Sequence, residues 1–238
     1  MDSVSSLEIL GLPLTLASDY LALAQKLPSG HIVTLNAEMV MLAQHNCQLA
    51  QIIRQAELVI PDGAGVVLYA CWRNYRLDRC PGIDLAAKLL EFAGEKGLKV
   101  FFLGAKPEVI SRTVAYWQQQ LPQLQIVGWH HGYFDAIEEK QIIATLEQTQ
   151  PDLILVALGV PKQEIWISEH RSVCPQAVWI GVGGSFDIWA GVKKRAPKWL
   201  GRMHLEWLYR LLQEPWRWRR MLVLPQFLWL SLWERRHN

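Results

Sequence analysis

The sequence predicts an α/β fold: a mostly parallel sheet flanked by helices, followed by a helical, basic, tryptophan-rich C-terminal appendage. Three observations lead there. Short apolar runs alternate with segments of helical periodicity, glycine or small polar residues follow most of those runs, and the last 46 residues change sharply in charge and aromatic content. With 238 residues and 51% hydrophobic content the chain fills a sizeable core, so one catalytic domain over residues 1–192 and an appendage over 193–238 are expected.

The strands are placed at "HIVTL" (31–35), "ELVI" (57–60), "KVFFLG" (99–104), "QIVGWH" (125–130), "DLILVAL" (152–158) and "AVWIGV" (177–182). Each is short, apolar and bounded by turn residues. Helical segments lie between them, at 37–55, 64–71, 84–96, 107–120, 136–149 and 161–171. Asn36 precedes the first of these as a cap and Pro107 opens the fourth. Such alternation implies right-handed βαβ units in a Rossmann-like sheet, which binds ligands at the C-terminal ends of its strands.

The strand exits therefore hold the candidate functional residues. In "PDGAG", Asp62 directly precedes a helix, where capping is the usual role of an Asp. Its position at a strand exit also suits a general base, because apolar neighbours lift a carboxylate's pKa. Thr34 and Asn36 leave the adjoining strand and offer neutral hydrogen bonds. In "LGAKPE", Gly104 and the helix start at Pro107 present backbone N–H groups suited to a diphosphate. In "GVPKQE", Lys162 suits phosphate and Gln163 a sugar hydroxyl or base edge. In "GVGGSFD", Gly181, Gly183 and Gly184 permit close ligand approach, with Asp187 beyond.

Several chemistries lack their signatures. There is no G-x-G-x-x-G and no G-K-[ST], so neither a dinucleotide fingerprint nor a P-loop is supported. No Asp-x-Asp pair holds a divalent ion against a diphosphate, and His130 and His131 would point apart on a strand, so neither a metal nor another cofactor is expected. If phosphate leaves at this site, the candidates to neutralise it are Arg210, Arg217, Arg219 and Arg220, since arginine binds phosphate in bidentate fashion.

From Lys193 onward the chain holds 11 of its 24 Lys and Arg and 3 of its 22 Asp and Glu, a net +8 against −6 for residues 1–192. Six of the twelve tryptophans lie there too: Trp199, Trp207, Trp216, Trp218, Trp229 and Trp233. Indole and guanidinium together favour a water–lipid boundary; a nucleic-acid patch would carry the same charge and a solvated basic helix accounts badly for so many tryptophans, and no nucleic-acid partner is expected. The tail 221–233 is apolar for only about 13 residues and contains Pro225, whereas a spanning helix needs about 20, so it is expected to lie on a membrane. The four scattered cysteines form no C-x-x-C or zinc pattern and read as reduced thiols. With no signal-peptide pattern at the N-terminus, a cytoplasmic location is expected.

In order along the chain, "VTLNAE", "PDGAGVV", "RCPGIDL", "FFLGAKPEV", "IVGWHHGYF", "LILVALGVPKQE", "GVGGSFDIWAG", "KRAPKWL" and "LEWLYRLLQEPWRWRRM" resemble the WecG/TagA/CpsF glycosyltransferases from about residue 7 to about residue 225. The resemblance implies inverting transfer of an N-acetylmannosamine-type sugar from a UDP donor to an undecaprenyl-diphosphate-linked acceptor, at the cytoplasmic membrane face, for cell-surface polysaccharide. It implies Asp62 as base, Thr34 and Asn36 as the T-x-N motif, Gln163 as the P-K-Q-E glutamine, and Arg210, Arg217 and Arg220 as the C-terminal arginines. Arg79, Gly82 and Asp84 match the family's R-x-x-G-x-D, with Cys80 where a β-branched residue is more usual. Gly63 follows the base in the D-G-x-G motif.

Other UDP-sugar donors, such as UDP-glucose or the N-acetylmannosaminuronic acid nucleotide, fit the same resemblance, since one or two loop residues select between them. An oxidoreductase or epimerase and a non-enzymatic membrane scaffold are the remaining alternatives. Self-association of the core is a further expectation, suggested by a removable tail.

Overall fold

The computed structural model describes residues 5–197, 199–200, 206–215, 218 and 222–237. The chain opens with an antiparallel hairpin, β1 (Ser6–Ile9) and β2 (Leu12–Thr15). Its turn places Leu10 at φ 48° and Gly11 at φ 79°, the left-handed backbone that matches a hairpin's twist. Helix α1 (Tyr20–Lys26) follows, capped by Asp19, whose side chain accepts the Ala22 N–H.

Strands and helices then alternate: β3 (Gly30–Leu35), α2 (Ala37–Gln44), α3 (Cys47–Arg54), β4 (Leu58–Pro61), α4 (Ala64–Trp72), α5 (Gly82–Lys96), β5 (Lys99–Gly104), α6 (Pro107–Gln120) and β6 (Gln125–His130). The series continues with α7 (Ala136–Thr149), β7 (Leu153–Ala157), α8 (Lys162–His170), β8 (Val178–Gly181) and the short α9 (Ser185–Trp189). The expected elements are present, with ends shifted by one or two residues, except that the helix expected over 37–55 is two helices. Asn46 interrupts it, because its side chain accepts the Leu49 N–H and starts α3 afresh.

The six strands form one parallel sheet in the order β4-β3-β8-β7-β5-β6. Its strands are apolar on both faces, as a sheet covered by helices on both sides requires. Alternation sends Ile32, Ile60, Phe102, Leu155 and Ile180 to one face, under α1, α5, α6 and α9. Val33 and Val59 take the other face, with α2, α3, α4 and the hairpin, while Phe101, Ile154 and Trp179 meet α7 and α8 farther along it.

Of the region expected as an appendage, the helices Glu206–Gln213 and Val223–His237 are described. Pro225 sits in the first turn of the second, where its missing N–H has no helical partner to lose. That helix packs on α2 and α4. Phe227 is buried there, 6.4 Å from the Tyr69 ring, and the Tyr69 hydroxyl donates to Glu234. Trp229 and Trp233 are exposed. Among the described residues, no helix is long and apolar enough to cross a membrane.

Candidate active site

The sheet order dictates where a ligand fits. From β3 the chain moves to β4 on one side, and the later return through β7 and β8 fills the other side of β3. Connections that diverge in this way leave a crevice at the strands' C-terminal ends. A cleft with a cavity volume of about 190 Å³ opens there, lined by Thr34 of β3 and Asn36 just beyond it, by Asp62 directly after β4, and by Gly183 and Gly184 in the turn after β8. Arg79, Gly82 and Gln163 complete the expected residues that line it.

Asp62 is held from both backbone and side chain. Its N–H donates to the Leu35 carbonyl at 2.9 Å, and Arg79 Nε donates to the Asp62 carbonyl. Its carboxylate does not cap the helix that follows it: Gly63 stands at that cap without a side-chain bond. Instead, Asp62 Oδ1 accepts the Gly82 N–H at 2.8 Å, at the start of α5. The capping expected from sequence is thus made to a different helix, 20 residues on, because the loop from α4 returns across the β4 exit. Among the described residues, the hydrogen bond to the carboxylate is made at Oδ1 and none is made at Oδ2.

The neighbouring polar groups have fixed roles. The Thr34 hydroxyl donates to the Gly181 carbonyl at 3.1 Å, which leaves its oxygen to accept from a ligand. Asn36 caps α2 as expected: its Oδ1 accepts the Met39 N–H at 3.0 Å, and its NH₂ is left to donate. A Cβ on Gly82 would lie 2.7 Å from Thr34 Cγ2, so glycine is needed for α5 to start this close to β3. Cys80 is no nucleophile. Burial first, then the Asp62 and Asp84 carboxylates, pushes its thiol up to about 12.

Gln163 is turned inward. Its Nε2 donates to Glu164 Oε1 at 2.8 Å and its Oε1 accepts the Gly183 N–H at 3.1 Å, so its amide is already engaged by the protein.

Other expected residues stand outside the cleft lining. Lys162 is exposed on the first turn of α8. Gly104, at φ 128°, serves the backbone: a Cβ there would meet the Ala157 carbonyl oxygen at 2.4 Å. Gly63 packs on Asn36, 2.8 Å from its Cβ by the same measure. Asp84 forms a two-point ion pair with Arg195. Asp187 pairs with Lys193 at 2.8 Å. The side chain of Arg210 and all of Arg217, Arg219 and Arg220 lie outside the described residues.

The segment 193–195 forms a cleft wall that the sequence pattern alone does not mark. Lys193, Lys194 and Arg195 line the cleft, tied down by the Asp84 pair, by Lys193 to Glu214 at 3.3 Å, and by Gln213 Nε2 donating to the Lys194 carbonyl at 3.0 Å. The run "KKR" was the visible signal, but by sequence it belonged to the basic tail.

His130 and His131 do not point apart as expected. Their ring centroids are 4.4 Å apart because His130 ends β6 and His131 has already left the strand. With Glu138 they bring ligand-capable atoms within 4.8 Å of one another at the sheet's far edge. Each group already serves the local backbone: His130 Nδ1 bonds to the His131 carbonyl, His131 Nδ1 accepts the Tyr133 N–H, and Glu138 closes a capping box with Asp135. Those bonds account for the clustering.

A model of the glycosyl transferase WecG/TagA/CpsF family matches residues 6–238. An N-acetylglucosaminyldiphosphoundecaprenol N-acetyl-beta-D-mannosaminyltransferase of Bacillus spizizenii is 40% identical over 198 residues, 83% of this chain and 76% of the relative. A protein of the same name from Bacillus subtilis (strain 168) is 37% identical over 209 residues, 87% of this chain and 80% of the relative.

Proposed function

The chain belongs to the WecG/TagA/CpsF family of glycosyl transferases, and we propose that it transfers an N-acetylmannosamine-type sugar from a UDP donor to a diphosphoundecaprenol-linked N-acetylglucosamine. The observation that carries this reading is the grouping of Asp62, Thr34 and Asn36 in one cleft at the topological switch point. Family membership removes the ground for the oxidoreductase and scaffold readings.

In the proposed step, Asp62 takes the proton of the acceptor hydroxyl through Oδ2. The freed oxygen pair forms a bond to the anomeric carbon, and the bond from that carbon to the diphosphate breaks with its electrons going to UDP. A single displacement inverts the centre and needs one base. The Gly82 N–H holds Oδ1 and thereby aims the carboxylate. Thr34 accepts from, and Asn36 donates to, hydroxyls of the bound sugars. Basic side chains stabilise the leaving diphosphate, with Lys194 on the cleft wall and the C-terminal arginines as the candidates; in this reading no metal is required. The exposed Trp229 and Trp233 support contact with the cytoplasmic face of a membrane, where a lipid-linked acceptor resides.

The test is UDP release from UDP-N-acetylmannosamine with a short-chain lipid-diphosphate N-acetylglucosamine acceptor and EDTA present. Asp62→Asn keeps an acceptor oxygen for Gly82 while removing the base, so turnover is expected to fall by about 10²–10⁴. Unchanged turnover in the variant removes Asp62 from the mechanism, and loss of wild-type turnover on adding EDTA removes the metal-free step.

A further inference from the structure

Gln163 and Glu164 are the most enclosed polar side chains at the cleft, 1% and 0% exposed. Gln163 lines it, whereas Glu164 does not. A glutamine amide has two ends of similar shape, and its neighbours decide which end faces which way. Gly183 offers an N–H, which needs the amide oxygen; Glu164 Oε1 is an acceptor, which needs the NH₂. The two demands agree on a single orientation.

Strand β8 encloses the pair. A Cβ on Gly181 would stand 2.4 Å from Gln163 Nε2 and 2.8 Å from Glu164 Oε1, so both side chains lie against bare backbone. The carbonyl of the same glycine accepts the Thr34 hydroxyl. Gly181 therefore ties the Gln163–Glu164 pair to one of the candidate catalytic neighbours. Beyond it, Gly183 turns through φ 50° and Ser185 closes the turn with its N–H and hydroxyl on the Val182 carbonyl.

We infer that Glu164 is a positioning residue: by fixing the direction of the Gln163 amide it holds Gly183 and sets the 182–185 turn that forms one wall of the cleft. Its consequence for sugar transfer rests on the function proposed above; its consequence for the turn does not. Two features favour this role over simple packing. Among the described residues Glu164 Oε2 has no hydrogen-bond partner, an arrangement that packing alone would avoid. Burial also pushes the carboxyl up to about 7, yet Oε1 remains an acceptor whether or not Oε2 carries a proton.

Glu164→Leu fills similar space without an acceptor, and Glu164→Gln restores one. Amide hydrogen exchange followed by NMR reads the turn directly. In Glu164→Leu the Gly183 amide is expected to exchange at least tenfold faster, while the Val178 amide, bonded to the Asp152 carbonyl within the sheet, keeps its protection and so reports an intact fold; Glu164→Gln should return Gly183 to within about threefold of wild type. Gln163→Leu should reproduce the Gly183 effect, and adding Glu164→Leu to it should change nothing further, which keeps the test decisive if Glu164→Leu alone fails to fold. In the UDP-release assay Glu164→Leu should raise the donor KM about tenfold and alter kcat by less than about threefold, with Glu164→Gln near wild type. Wild-type protection of Gly183 in Glu164→Leu would overturn the inference. Absence of wild-type turnover would instead count against the proposed function, and the exchange result would still decide the role of Glu164.

Discussion

Replacing Glu164 by Gln should change how stability depends on pH, because two buried groups oppose each other in the wild type. Glu164 has a folded-state pKa raised from 4.5 to about 7, by burial above all. Its contribution to stability is therefore full below pH 4.5 and is lost as pH rises toward about 7. At about 1.4 kcal/mol for each pH unit between the two values, the loss is about 3 kcal/mol. His31 acts with the opposite sign. Burial first, then Arg171, lowers its pKa from 6.5 to about 3, so its contribution is full above pH 6.5 and is lost as pH falls below that. Between pH 4.5 and 6.5 the slopes contributed by these two groups nearly cancel each other. Glu164→Gln removes one slope and exposes the other, so the variant should gain about 3 kcal/mol relative to wild type between pH 4.5 and 7.5. Urea unfolding of both proteins at one-unit pH intervals measures this, and ionisations common to both cancel in the difference. A difference that stays constant to within about 1 kcal/mol across the range would refute the assignment of the proton to Glu164.

Two further predictions concern the C-terminal helix. Phe227→Ala empties a fully buried ring site against Tyr69 and Gly65 and should cost about 3–5 kcal/mol if the helix is seated as described, read by denaturant unfolding; a cost under about 1 kcal/mol would mean that this helix does not dock there. Replacing Trp229 and Trp233 together by Ala removes exposed indoles, so sedimentation with anionic vesicles should weaken by about tenfold or more while the melting temperature changes little; equal sedimentation would place membrane contact elsewhere.

Much of the layering was legible in the sequence because parallel strands buried on both faces read as short continuous apolar runs, and α2 and α7 open on the side-chain caps Asn36 and Asp135. "KVFFLG" and "QIVGWH" became strands over the same residues. The hairpin at Ser6–Thr15 was not read, since its turn places Leu10, an unusual residue for positive φ, where Asn or Gly would have announced it. The break at Asn46 was hidden within an apolar pattern that both flanking helices share.

What the sequence determined by itself was the alternation, the set of strand exits, and the residue types able to do chemistry there: Asp62, Thr34, Asn36 and Gln163. Local composition and spacing suffice for those, because turns, caps and buried strands are chosen by neighbours in the chain. Which exits meet was decided by the tertiary structure. Strand order put β3 between β4 and β8 and left Gly104 at a more distant exit, where its lack of a side chain serves Ala157. The same packing gave the Asp62 carboxylate to α5, assigned Asp84 to Arg195, and turned Gln163 toward Glu164. Each of those partners lies across a fold-dependent contact or points in a direction set by packing, and a hydrogen bond is decided by which groups arrive within about 3 Å of one another.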